Sequence, residues 1–160
     1  MNIIKEKEFL NSLVIVVDSR EKKPYRFDGH KTTVQGLPIG DYGLLNCQDI
    51  AIERKSVDDL AGSLTRGRDR FERELQKGTI IPYFSLVIEA SVSDLINGKY
   101  RSKAVPQSIV QSLLSFSVKY RLPVFFAESR EHGELITLSL LLKYSRMIYQ
   151  KYHALQKGVN

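Results

Sequence analysis

An apolar, mostly β-branched run, Leu13-Val14-Ile15-Val16-Val17, stops at four polar residues, Asp18-Ser19-Arg20-Glu21. A short continuous apolar run of this kind suits a strand buried on both faces, and this one delivers polar groups at its C-terminal end. The chain is therefore expected to build a sheet packed by helices, with a charged cluster where the first strand stops.

The remaining pattern agrees. Pro24 and Asp28-Gly29 mark a loop, residues 32–35 suit a short strand, and Pro38-Ile39-Gly40-Asp41 suits a turn. Residues 42–45 and 49–54 have the pattern of a hairpin bent near 46–48. Ser56 caps a helix, with Asp59 three residues on, and Val57, Leu60, Ala61 and Leu64 recur at helical spacing. Gly67 breaks that run, and a charged helix over 69–77 is anchored by Phe71 and Leu75. A strand over 83–89, a helix over 105–120 opened by Pro106, a strand over 123–126 and a long helix over 134–155 complete the reading. Strands and helices interleave in one unit, which is an α/β architecture.

Charge narrows the partners. Lys and Arg number 24 against 18 Asp and Glu, a formal net charge of +6, which suits a polyanion because basic side chains release its condensed counterions. The single cysteine, Cys47, excludes an intramolecular disulfide and any cysteine-based zinc cluster, and is expected as a small buried apolar residue. The longest apolar stretch, Leu135 to Leu142, is too short to span a bilayer, and charges interrupt the first nine residues. An intracellular setting without a membrane partner is the expectation.

The stretch from Gly40 to Asp59 carries the chemistry. Gly40-Asp41 is followed after eleven residues by Glu53-Arg54-Lys55, and then by Asp59. Side chains alternate along a strand, so Glu53 and Lys55 share a face while Arg54 points away. A hairpin returns Glu53 towards Asp41, bringing two carboxylates and an ammonium group together. Carboxylate oxygens are hard ligands suited to Mg²⁺ or Mn²⁺. Such an ion activates a phosphodiester and lowers the pKa of bound water. Lys55 would orient or deprotonate the attacking water, or neutralise transition-state charge. The backbone carbonyl of Arg54 is the expected third protein ligand.

Four blocks in order carry a resemblance: Val17-Asp18-Ser19-Arg20-Glu21, Gly40-Asp41-Tyr42, residues 52–60 (Ile-Glu-Arg-Lys-Ser-Val-Asp-Asp-Leu) and residues 62–68 (Gly-Ser-Leu-Thr-Arg-Gly-Arg). Together they resemble the nuclease domain of the XPF family of structure-specific endonucleases. The resemblance implies a restriction-endonuclease-like fold, a central mixed β-sheet flanked by α-helices. It implies Asp41 and Glu53 as metal ligands, Lys55 as the catalytic lysine, and Asp18 and Glu21 as carboxylates near the ion. Glu21 would bind a water of the metal shell or help hold a second ion. Arg20 and Asp59 would be supporting residues, Asp59 pairing with Arg20 or Arg54.

Arg66 and Arg68 would contact DNA phosphates, whereas Arg70 and Arg73 are expected to be merely solvated. Lys99, Arg101 and Lys103 lie in a loop that would track a DNA arm. The implied substrate is DNA at branched or flap-type junctions, and the implied assembly a homodimer or heterodimer. Leu138, Leu141, Leu142, Tyr144, Ile148, Tyr149 and Tyr152 spread apolar surface around the last helix, either for that interface or because the helix is buried on two sides within the monomer. Residues 1–160 are expected as a single nuclease domain without the tandem helix-hairpin-helix module usual in such enzymes. The rival reading is a non-catalytic DNA-binding or scaffolding subunit; the intact Asp41, Glu53 and Lys55 argue against it.

Overall fold

The structure, a computed structural model, describes residues 3–158. Its elements are α1 (Ile3–Ser12), β1 (Val14–Asp18), β2 (Lys31–Gln35), β3 (Tyr42–Leu44), β4 (Cys47–Ser56), α2 (Val57–Ser63), α3 (Arg68–Gly78), β5 (Tyr83–Glu89), α4 (Val92–Ile96), α5 (Pro106–Tyr120), β6 (Val124–Phe126) and α6 (Arg130–Lys157). The strands form one mixed six-stranded sheet in the order β2-β1-β3-β4-β5-β6. Only β3 runs against its neighbours; β1–β2, β4–β5 and β5–β6 pair in parallel.

Two cores follow from the alternation of side chains. On one face Ala51, Phe84, Leu86 and Ile88 pack against Leu60, Phe71, Leu75, Ile109 and Phe116 of the helices α2, α3 and α5. On the other face Ile15, Val17, Tyr42, Ile50, Ile52 and Val87 pack against Tyr25, Phe27, and Leu141 and Tyr144 of α6. Each large apolar side chain buried this way contributes about 1.5–3 kcal/mol, so both layers hold β4 and β5 at the centre of the sheet.

Several ends match the sequence pattern closely. Ser56 caps α2, its hydroxyl accepting from the Asp59 N–H at 3.2 Å, and Pro106 opens α5. Two short elements were not foreseen. Helix α1 has only a weak apolar stripe and is held by tertiary packing, including a Phe9–Tyr149 ring stack at 4.9 Å. Helix α4 begins in a capping box in which Ser91 and Asp94 bond each other's backbone. Cys47 is only partly buried, at the start of β4 rather than in the core. In α6, Leu141 and Tyr144 are interior while Ile148 and Tyr152 are exposed, so part of the wide apolar face is core.

Candidate active site

Gly40 makes the site possible. Its φ of +73° is a conformation glycine adopts without strain, and an added Cβ would meet Ala51 Cβ and the Ile52 carbonyl oxygen, each at 3.1 Å. The tight turn it permits sets Asp41 directly before β3. There the Asp41 N–H donates to the Ile52 carbonyl at 2.9 Å. Tyr42 pairs with Ile52 in the antiparallel register, so Asp41 falls opposite Glu53 on the same face. The Asp41 carboxylate also accepts the Arg54 N–H at 2.8 Å. A side chain thus continues the ladder past the end of β3.

Glu53 is 3% exposed, and Lys55, two residues on and on the same face, donates to it. Burial dominates the proton affinities here. It pushes Asp41 up to about 6, with further upward pressure from Glu21 and Glu74 that the Arg54 N–H and Lys55 only partly offset. It pushes Glu53 up to about 8, Asp41 and Glu74 adding to the rise and Lys55 opposing it. The Lys55 ammonium is itself held protonated: burial lowers its affinity, but Glu53, Glu74 and Asp41 outweigh that. The neighbourhood contains more negative charge than one lysine balances.

That imbalance is the test of whether a divalent cation fits, and it does. A buried and a half-buried carboxylate, partly uncompensated and offering hard oxygen donors, suit Mg²⁺ or Mn²⁺, which need only one or two protein carboxylates. Among the described residues no group of three or more His, Cys, Asp or Glu side chains is arranged to hold an ion. The protein's share would therefore be Asp41, Glu53 and backbone oxygen, leaving the rest of the shell to water and phosphate.

The other sequence candidates divide. Glu21 lines the same cavity of about 510 Å³ as Asp41, Glu53 and Lys55, and lies 3.5 Å from Arg54. Asp18 also lines it, but its oxygens accept from Arg20 Nε at 2.7 Å, Arg20 Nη2 at 3.0 Å, the Arg20 N–H at 2.9 Å and the Leu37 N–H at 2.6 Å. Despite burial, those donors hold its pKa below the ordinary value. Asp18 and Arg20 close the end of β1 onto the loop before Gly40.

Asp59 pairs with neither Arg20 nor Arg54. It accepts from the Ser56 hydroxyl at 2.6 Å, while Arg20 and Arg54 are paired with Asp18 and Glu89. Arg54 instead grips Glu89 with two bonds of 2.7 and 2.6 Å on the opposite face. Tyr25 donates to Glu89 at 2.9 Å, and Arg130 lies over the Tyr25 ring at 4.9 Å. Gly133 allows this packing, since a Cβ there would fall on the Tyr25 hydroxyl.

Arg68 is a correction. Its guanidinium turns inward, donating to the Ser112 hydroxyl at 2.8 Å and lying 4.7 Å over the Phe116 ring, so it ties α3 to α5 rather than forming a rim. Arg66 is exposed beside a second cavity. Arg70, expected to be merely solvated, lines both cavities, as does Glu74, which the sequence reading passed over. Their signal was present: each immediately precedes an apolar anchor of α3, Phe71 and Leu75, at i, i+4 spacing. Arg101, foreseen in a loop, is paired to Asp58 by two bonds of 2.8 Å.

This chain belongs to the ERCC4-domain family: the family model for the ERCC4 domain matches residues 17–138, confirming the resemblance to XPF-type nuclease domains. Among solved structures it is similar to XPF from Aeropyrum pernix, with a TM-score of 0.67, 20% identity, and coverage of 88% of this chain and 69% of that one. It is also similar to XPF from Aeropyrum pernix in complex with DNA, with a TM-score of 0.64, 19% identity, and coverage of 87% and 66%. The chain thus spans about two thirds of the length of those proteins, and at such identities the likeness is one of fold. No curated protein matches it by sequence.

Proposed function

We propose that this domain is a Mg²⁺- or Mn²⁺-dependent endonuclease that hydrolyses the phosphodiester backbone of DNA at branched or flap-type junctions of duplex and single strand. One observation carries the reading. Asp41 and Glu53 lie opposite each other across the β3–β4 hairpin, with Lys55 on the same face and burial raising both carboxyl pKa values. Membership in the ERCC4-domain family and the XPF-like fold support a nuclease or DNA-binding role, and the Aeropyrum pernix protein's complex with DNA supports the same polymer here.

A divalent ion held by Asp41, Glu53 and the Arg54 carbonyl would supply Lewis acidity to the scissile phosphate and acidify the attacking water. The protein's own work is positional. Asp41 is fixed by its N–H bond to Ile52 and by its carboxylate bond to the Arg54 N–H. Glu53 cannot swing, being enclosed in the sheet. Lys55, protonated and aimed along the same face, would stabilise the pentacovalent phosphate or orient the water. Glu21 stands across the cavity as an acceptor for a further water or ion. Nothing in this scheme needs a covalent intermediate.

Residues 1–160 would then be one nuclease module. Dimerisation through the exposed C-terminal half of α6 belongs to the same reading, as does an intracellular setting. No helix among the described residues is long and apolar enough to cross a membrane.

Cleavage of end-labelled splayed-arm, 3′-flap and plain duplex DNA in Mg²⁺ or Mn²⁺ tests it, with Asp41→Asn and Lys55→Ala alongside. Metal-dependent cutting lost in both variants is the expected result. A folded wild type that binds the ion and the DNA yet never cuts would overturn catalysis in favour of a DNA-binding subunit.

A further inference from the structure

The catalytic cavity is not alone. A second cavity of about 610 Å³ adjoins it, lined by Arg66, Gly67, Arg70, Phe71, Arg101 and Ser102 among others. The two share Lys55, Asp59, Arg70 and Glu74, so Arg70 stands at the threshold between them. The arginines near this path differ in what they already do. Arg54 and Arg20 are paired to carboxylates, Arg68 is bonded to Ser112, and Arg101 is held by Asp58. The side chains of Arg66 and Arg70 have neither a hydrogen bond nor an ion pair among the described residues. A free guanidinium binds a phosphate with two parallel bonds and breaks no internal pair to do so.

The cavity's dimensions restrict what enters. A cavity of this size, within the range of sites for small molecules, has room for part of one extended strand. At its far wall Asp58 of α2 holds the 97–105 loop, bonding both the backbone N–H and the side chain of Arg101. Of its three carboxylates, Asp58 is neutralised by Arg101 and Asp59 is bonded to Ser56. Glu74 acts on the buried Lys55. Asp59 and Glu74 keep their negative charge, and Arg66 and Arg70 are the cations of the path with no ion pair to break.

Resting on the nuclease reading, we infer that this second cavity is the seat of a single DNA strand leaving the scissile phosphate, with Arg70 holding the phosphate at the threshold and Arg66 one farther along. The domain then senses an unpaired arm by itself: plain duplex has no free strand to place there.

Fluorescence anisotropy tests this without catalysis, using the wild-type chain in EDTA with a splayed-arm DNA and a blunt duplex of equal length. Arg70→Ala and Arg66→Ala are each expected to weaken splayed-arm binding about tenfold and to leave blunt-duplex binding within about twofold of wild type. Arg73→Ala, on the same helix and lining neither cavity, serves as control and is expected to change neither. Arg70→Lys is expected to recover part of the loss, since charge is kept and the bidentate geometry is not. Equal losses on both DNAs would reduce the arginines to general phosphate contacts and overturn the strand seat. So would no loss at all. The outcomes separate the two proposals: arm-selective binding with no cutting in Mn²⁺ would sink the nuclease and keep the seat. Cutting that these variants leave unchanged would do the reverse.

Discussion

Glu53 and Lys55 face one side of β4, and Arg54 between them faces the other. The Arg54 side is closed: its guanidinium, at 9% side-chain exposure, meets Glu89 in two short bonds, with Tyr25 donating to the same carboxylate. The Glu53 side is open and short of positive charge, with Asp41 and Glu74 raising the proton affinity that burial has already raised. Equally buried charges thus do opposite work. Where every carboxylate has its cation, the network fastens β4, β5 and the N-terminal turn of α6 together. Where carboxylates outnumber the side-chain cations, the surplus negative field suits the divalent ion proposed above.

The largest test of this contrast removes the open side's groups. Asp41→Asn and Glu53→Gln are expected to cut the cleavage rate by about a thousandfold or more, while the unfolding midpoint holds or rises because a buried negative charge has gone. A large loss of stability would show the two sides to be one structural unit.

Next, Arg54→Ala leaves Glu89 buried without its main partner and is expected to cost about 3–5 kcal/mol in urea unfolding. A smaller step is Gly40→Ala, where the positive φ and the close approach to β4 together cost about 1–3 kcal/mol. Metal affinity, measured by calorimetry, should fall with it as Asp41 shifts.

The subtlest test is pH. Asp41 and Glu53 bind protons more tightly folded than unfolded, so their contribution to stability is complete below pH 4 and is lost as pH rises through about 6 and then about 8. The metal-free midpoint is expected to fall by several degrees between pH 5 and pH 8.5. Glu53→Gln should flatten that slope, and Mn²⁺ should restore the midpoint most strongly at the alkaline end. A slope identical in wild type and Glu53→Gln would mean that burial does not control this carboxyl.

Much of this was legible in the residues because it is local. Strand alternation alone separates Glu53 and Lys55 from Arg54, the Gly40-Asp41 turn sits at hairpin distance, and Ser56 caps the next helix in its own neighbourhood. What escaped is non-local. Arg68 and Arg70 are two residues apart on a charged helix, and only the position of α5 decides that Arg68 docks on Ser112 and Phe116 while Arg70 looks into the cleft. Arg54's partner, Glu89, is 35 residues away on the neighbouring strand. Asp59 is local again: its partner is Ser56, the cap residue three positions earlier, and not Arg20 or Arg54.

Strand β4 is the longest in the sheet and is paired along its C-terminal half, by β5 from Ile50 to Ser56 and on the other edge by β3, extended by the Asp41 carboxylate. Amides so enclosed exchange with deuterium only when the whole domain opens. Asp41 and Glu53 therefore have no private melting transition. Their spacing persists to the temperature at which the domain itself comes apart, and heat would undo the carboxylate pair and the secondary structure in a single step.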